Sequence, residues 1–177
     1  MTDFLTDVEQ CLHPNYKMPT GTKRLKEPKS KTSVTLVSKG RFLLYSFDLQ
    51  LRGIDLFPFF STKSKLRRVC DYILFCIRQS DGKPFVLIIE LKTKMDPTAQ
   101  LWATKHFVDF LIKRVNAACN SNYEPEIRKI GILEAMPKKI QQKYRSSGTR
   151  AGKILYDDDN TACILGKKFV IADYLIT

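Results

Sequence analysis

The sequence lacks several features that mark membrane and secreted proteins. No run of apolar residues approaches the ~20 that a helix needs to cross a bilayer, and the first residues lack the basic and apolar regions of a signal peptide. Histidine is scarce, and the five cysteines are widely spaced without a CxxC pair, so we expect neither a structural zinc site nor a disulfide framework. These absences predict a cytoplasmic protein with reduced cysteines and no membrane association.

The balance of charge is strongly basic. Among 177 residues, 30 are Lys or Arg and 18 are Asp or Glu, which gives a formal net charge of +12. An excess of this size favours an acidic partner, with nucleic acid ahead of a membrane surface. Hydrophobic residues make up 44% of the chain, which is enough to build a core, and the length fits a single domain spanning residues 1–177.

The basic residues concentrate in three clusters. Residues 17–41 hold eight of them against one acidic residue, Glu27, and the part at 17–33 predicts a basic loop or arm. A second cluster lies at 63–68, and a third, at 138–153, has six basic residues and no acidic one. Each cluster alone also fits a solvated surface, but the three together favour contact with a phosphate backbone. The candidate nucleic-acid-binding residues are Lys23, Arg24, Lys26, Lys29, Lys31, Arg67, Arg68, Arg145 and Arg150.

Hydrophobic periodicity predicts a mixed α/β domain. Helical spacing predicts an amphipathic helix over 3–12 and a longer helix over 98–118, for which Asp96-Pro97 is a start signal. Pro137 favours a further short helix. Runs of β-forming residues predict strands over 34–37, 42–49, 69–78, 84–91 and 129–135.

Turn residues predict three hairpins. Asp81-Gly82 lies between the two most apolar strands and is the strongest turn signal of the chain. Gly40 predicts an earlier hairpin, and Gly166 predicts a C-terminal β-hairpin within an appendage at 137–177. The predicted order of the core elements is α-β-β-β-α-β, followed by that appendage.

Three charged residues interrupt the two apolar strands, namely Asp71, Glu90 and Lys92. A charge in such a strand is costly unless it is paired or bound to a metal. If the loop is centred on Asp81-Gly82, Asp71 faces Lys92 and lies diagonal to Glu90, which places all three side chains on one face. Two carboxylates in this arrangement can share a divalent cation. A shift of register by one residue would send Asp71 to the other face.

This constellation resembles the PD-(D/E)XK nuclease superfamily, through Asp71 and Glu90-Leu91-Lys92 on a strand-turn-strand unit that a helix follows. The resemblance implies a restriction-endonuclease-like αβββαβ core over about residues 3–135, with a mixed central sheet flanked by helices. It makes Asp71 and Glu90 ligands of Mg²⁺ or Mn²⁺, and Lys92 the catalytic lysine. It also makes Glu9 a candidate metal ligand and Gln100 a candidate catalytic residue.

The activity that the resemblance implies is metal-dependent endonucleolytic hydrolysis, with DNA ahead of RNA as the substrate, in restriction, defence or DNA processing. Cleavage of both strands of a duplex would suit a homodimer. Three alternatives stay open at this point. Asp71 and Lys92 could form a plain cross-strand salt bridge with Glu90 solvated, the fold could bind nucleic acid without cutting it, or a basic protein could dock on an acidic protein.

Overall fold

The computed structural model describes residues 3–27, 32–38, 40–47, 68–93, 95–135, 138–143, 148–150 and 153–175. Within these residues the chain forms three α-helices, two short 3₁₀ turns (Pro14–Tyr16 and Ile171–Tyr174) and ten strands. The helices are α1 (Phe4–Cys11), α2 (Thr98–Cys119) and α3 (Lys138–Lys143). The strands are β1 (Arg24–Glu27), β2 (Thr32–Val37), β3 (Phe42–Tyr45), β4 (Tyr72–Ile77), β5 (Pro84–Lys92), β6 (Glu126–Leu133), β7 (Gly148–Arg150), β8 (Lys153–Leu155), β9 (Thr161–Leu165) and β10 (Lys168–Val170).

The predicted α/β class with a mixed central sheet and flanking helices is confirmed. The central sheet has the order β3-β4-β5-β6-β9, in which β3, β4 and β5 pair antiparallel and β5, β6 and β9 pair parallel. Helix α1, strands β3 to β5, helix α2 and strand β6 follow one another along the chain, with β1 and β2 inserted after α1. Among the described residues, no helix has both the length and the apolar character of a membrane span.

Two layers cover the central sheet, one on each face. Helices α1 and α2 bury one stripe each against the first face, where Val8, Leu101 and Val108 meet Ile73 and Ile88. A three-stranded sheet, ordered β1-β2-β10, packs its inner residues against the second face. Strands β4 and β5 are therefore buried on both faces, which explains why their sequences read as continuous apolar runs.

The hairpin predicted around Gly40 is wrong. Strand β2 pairs antiparallel with β1 and parallel with β10, whereas β3 pairs with β4 in the central sheet. Burial explains the separation, because β2 alternates between buried and more exposed positions while β3 is buried at three of its four positions. The segment predicted as a basic loop at 17–33 also contains β1, whose Leu25 and Glu27 point inward and are buried.

The hairpin predicted around Gly166 is also wrong, because β9 and β10 belong to different sheets. Strand β9 runs parallel to β6 at the edge of the central sheet, and β10 runs parallel to β2. Four of the five residues of β9 are buried, which suits a place beside β6. The region at 137–177 thus contributes strands to both main sheets, and within its described residues β7 also pairs antiparallel with β8.

The long helix and strand β6 differ slightly from their predicted bounds. Helix α2 begins at the predicted Thr98 and ends one residue later than predicted, at Cys119. The Asp96 carboxylate accepts a hydrogen bond from Thr98 N at 2.9 Å. Strand β6 begins at Glu126 and ends at Leu133, earlier than the predicted 129–135. Both shifts leave the predicted order of elements unchanged.

Gly131 in β6 lets the start of α2 approach the sheet. It pairs with Glu90 of β5, and a Cβ atom at Gly131 would lie 2.5 Å from Pro97 Cγ and 3.3 Å from Cys163 Sγ. Neither neighbour can yield easily, because the proline ring is rigid and Cys163 is buried. The glycine therefore fixes how closely the first turn of α2 lies over the ends of β5 and β6.

We expect Gly131→Ala to lower the free energy of unfolding by about 1–3 kcal/mol, because the added methyl group overpacks this contact. Urea denaturation of the purified variant measures the change. Gly166→Ala is the matched control, since a Cβ atom there meets its nearest neighbour at 3.7 Å. Equal losses in the two variants would show that the contact with Pro97 is not the cause.

Candidate active site

The hairpin between β4 and β5 has a register two residues away from the predicted one. Tyr72 pairs with Ile89 and Ile77 pairs with Pro84, which places Asp71 opposite Glu90 and not opposite Lys92. The turn is longer than the predicted two residues, because Arg78 N donates to Lys83 O at 2.9 Å and Gly82 adopts a φ of 72°. A shift of two residues preserves the facing of every side chain, so the three charged residues still share one face.

Asp71 and Glu90 are held by a reciprocal pair of hydrogen bonds. Asp71 N donates to Glu90 Oε2 at 3.2 Å, and Leu91 N donates to Asp71 Oδ2 at 2.7 Å. Both carboxylates are buried, with 2% of Asp71 and none of Glu90 exposed to solvent. Each carboxylate thus accepts a hydrogen bond from a backbone N–H group at or next to the other acidic residue. The two carboxylates converge at the end of the sheet where β4 begins and β5 ends.

Lys92 forms an ion pair with Glu90, the residue two positions before it on β5. The side chain of Lys92 is 21% exposed, so its ammonium group lies at the boundary between the buried carboxylates and solvent. The alternative with a solvated Glu90 is therefore wrong, because Glu90 is fully buried and carries the ion pair itself.

The electrostatics of the site raise the pKa of both partners of this ion pair. Burial raises the pKa of Glu90 above that of an ordinary glutamate, although the charge of Lys92 acts in the opposite direction. Burial acts to lower the pKa of Lys92. The negative charges of Glu90 and Asp71 act more strongly in the opposite direction, so the pKa of Lys92 is raised. Lys92 therefore remains a cation at neutral pH and serves as a source of positive charge instead of a general base.

Glu27 is a site residue that the sequence analysis missed. It ends β1, only 8% of it is exposed, and its charge contributes to the raised pKa of Lys92. Strand β1 is held at this place by Tyr72, whose hydroxyl donates to Lys26 O at 2.7 Å and accepts from Lys26 N at 3.0 Å. The alternation of Leu25 and Glu27 in a basic segment was the available signal, since it places both on the inner face of a strand.

Helix α2 fixes the residues that precede Asp71. Thr104 Oγ1 accepts a hydrogen bond from Cys70 N at 2.7 Å, and Gln100 Nε2 donates to Val69 O at 3.4 Å. Gln100 therefore lies beside the residues that lead into β4. The buried thiol of Cys70 lies against the Glu90 carboxylate, and burial together with the charge of Glu90 raises the pKa of Cys70.

Glu9, the candidate metal ligand of the first helix, lies elsewhere. Its carboxylate is exposed and forms an ion pair with Lys17, and within the described residues no contact joins it to Asp71 or Glu90. The buried carboxylate of α1 is Asp7, which accepts a hydrogen bond from the Tyr123 hydroxyl at 2.7 Å. The register of α1 thus turns Glu9 toward solvent.

The donor set of the site fits a hard divalent cation. Within the described residues, no group of three or more His, Cys, Asp or Glu side chains could hold a metal ion. Mg²⁺ and similar ions need fewer protein ligands, because they retain water and take phosphate oxygens from the substrate. Asp71 and Glu90 supply two converging carboxylates, and Glu90 Oε1 is buried beside the ammonium group of Lys92.

The candidate nucleic-acid-binding residues fall into two groups. The first group lies within the described residues. Its exposed members are Lys23, Arg24, Lys26 and Arg68, and its fifth member, Arg150, pairs through the backbone with Lys153 where β7 meets β8. The other candidates, Lys29, Lys31, Arg67 and Arg145, lie outside the described residues.

We expect Glu90→Gln to raise the free energy of unfolding at neutral pH. Because the pKa of Glu90 is raised in the folded protein, its protonated form stabilises the fold. This contribution to the free energy of unfolding is complete below pH 4.5 and is lost as the pH rises through the raised pKa. The ionised side chain therefore destabilises the fold at neutral pH, and glutamine removes that charge. Urea denaturation at neutral pH and near pH 4.5 should show a gain that shrinks at the acidic end.

Glu124→Gln is the control for this measurement, since Glu124 is an exposed carboxylate in the segment before β6. We expect its effect to be small at both pH values. A Glu90→Gln variant that is less stable than the parent at neutral pH would contradict the inference that the buried charge of Glu90 lowers the free energy of unfolding.

Comparisons of the chain with protein-family models, with curated proteins and with solved structures gave no match. The case for a function therefore depends on the geometry and charge of the residues themselves. Those features are a pair of buried carboxylates, a lysine beside them, and a surface with a large positive excess.

Proposed function

We propose that the protein is a Mg²⁺- or Mn²⁺-dependent endonuclease that hydrolyses phosphodiester bonds, with DNA as the favoured substrate. The observation that carries the proposal is the convergence of Asp71 and Glu90 at the ends of two central strands, with Lys92 beside them. The order of helices and strands around the central sheet supports the resemblance to PD-(D/E)XK nucleases. The five free cysteines suit the reducing cytoplasm.

The electrostatics of the site favour a bound cation. Asp71, Glu90 and Glu27 are three buried carboxylates near one lysine, within a chain whose net charge is +12. Replacing such buried charges with apolar side chains is often neutral or stabilising in proteins. A purely structural role therefore explains this cluster poorly, whereas a divalent cation would offset its negative charge.

Each residue of the site has a role in the proposed hydrolysis. Asp71 and Glu90 would hold the ion, which when bound polarises the phosphoryl group and lowers the pKa of water. Lys92 remains protonated, so it can stabilise the negative charge that develops on the phosphate in the transition state. The backbone donors of Leu91 and Asp71 keep the carboxylates oriented, and Gln100 and Thr104 position the chain before Asp71.

We expect Asp71→Asn and Lys92→Ala each to lower the rate of cleavage by about 100-fold or more, because each removes a charge that acts on the transition state. The measurement is a time course on plasmid, linear duplex, single-stranded DNA and RNA, with Mg²⁺, Mn²⁺ or EDTA. EDTA should abolish cleavage by the unmodified protein.

Two variants with equivalent chemical changes serve as controls. Asp109→Asn removes a carboxylate from the Lys105–Asp109 ion pair on α2, and Lys83→Ala removes a lysine at the far end of β5. Both should cleave as the parent does. Full activity of the Asp71 or Lys92 variant would overturn the assignment, and salt-sensitive binding without cleavage under either metal would favour a non-catalytic binding module.

A further inference from the structure

The outer face of the three-stranded sheet carries a regular array of basic and hydroxyl side chains. Arg24 of β1 and Lys168 of β10 both pair with Thr35 of β2, which places these three residues in one row across the sheet. Lys26 pairs with Ser33 in the neighbouring row. Since paired residues project to the same face of a sheet, the rows share the side opposite the buried Leu25, Val34 and Phe169.

The charge of this face is uncompensated within the described residues. Arg24, Lys26, Lys167 and Lys168 are exposed, and none of them takes part in an ion pair there. Five basic residues elsewhere on the surface do have acidic partners, namely Lys17, Arg41, Arg78, Lys83 and Lys105. Four cations therefore lie together on this sheet face and at its edge, without an ion-pair partner among the residues that the structure describes.

This face is joined to the candidate active site. Tyr72, which follows Asp71 in the chain, holds the backbone of Lys26 through both the N–H and the carbonyl group. At the other side, a groove of about 920 Å³ begins at the outer face and reaches the ends of β6 and β9. Its wall includes Leu133, which pairs with Lys92. The residues that line this groove are Arg24, Ser33, Thr35, Leu133, Glu134, Leu165, Gly166 and Lys167.

We propose that the outer face of the three-stranded sheet binds the phosphate backbone of a nucleic acid, on the flank of the bond that is cut. The partner is identified by charge, since Arg24, Lys26 and Lys168 present cations that have no ion-pair partner in the described part of the chain, and such cations suit a polyanion. Ser33 and Thr35 lie between them, are small, and can donate hydroxyl hydrogen bonds to phosphate oxygens. The inference extends the proposed nuclease function to a substrate-binding surface.

The composition of the face also indicates how the substrate is read. Its cations and hydroxyl groups suit phosphate oxygens, which carry no sequence information. Glu134 is the carboxylate that lines the groove, and its charge keeps the phosphate backbone on the side of Arg24 and Lys167. We therefore expect binding at this face to be independent of base sequence.

The test compares Arg24→Gln/Lys168→Gln with Lys113→Gln/Arg114→Gln. The second pair removes the same charge from exposed positions on α2, which covers the opposite face of the central sheet. Affinity for a short fluorescein-labelled duplex and for its single strand is measured by anisotropy in EDTA, at about 50 to 200 mM salt. The sheet-face variant should bind about 10-fold or more weakly, and its slope of log K against log salt should fall by about 2.

Binding in EDTA separates this inference from the proposed catalysis. If the parent binds and the sheet-face variant alone loses affinity, the inference holds even where no cleavage occurs with any metal. Equal effects of the two double variants, or no effect of either, would overturn it while cleavage could still stand. Absence of binding at low salt, or binding to phosphatidylserine vesicles without binding to oligonucleotides, would also overturn it.

Discussion

The structure depends on how two carboxylates are accommodated where β4 and β5 meet at one end of the sheet. Asp71 and Glu90 have almost no contact with water, so their negative charge must be met by protein groups. Two backbone N–H groups and the ammonium of Lys92 meet it. Because each carboxylate accepts from the backbone beside the other, the pair also fixes the register at which the strands join. A shift by one residue would separate the carboxylates and leave both without their donors.

The packing around this pair keeps it from relaxing. Pro97 rests on Gly131, the residue beside Glu90 in the sheet, and this contact holds the first turn of α2 over the strand ends. From that turn and the next, Gln100 and Thr104 reach the backbone before Asp71. The second face is closed by β1, through the bonds between Tyr72 and the Lys26 backbone. Helices on one side and a small sheet on the other thus support the same few residues.

Features that depend on side-chain periodicity could be predicted from the sequence, whereas features that depend on long-range strand pairing could not. The common face of Asp71, Glu90 and Lys92 was predicted correctly although the predicted centre of the turn was wrong. An error of two residues in register leaves the face on which each side chain lies unchanged. The hairpins at Gly40 and Gly166 were wrong because a turn signal shows that the chain reverses but not which strand it then joins. Glu27 was missed for a related reason, since its place beside Lys92 depends on the docking of one sheet on the other.

The distribution of charge argues that the site serves function more than stability. The protein has a net charge of +12, yet it buries three carboxylates near one lysine, and burial raises the pKa of Glu90. Selection for stability alone would favour apolar residues at these strand ends. The neighbouring Ile88 and Ile89, which are fully buried, show that apolar residues are compatible with the fold. Negative charge held inside a positive surface suits a reaction in which a cation must be bound and a polyanion must be drawn toward it. The opposite signs of the site and of the sheet face beside it therefore support the proposal that one binds a cation and the other a polyanion.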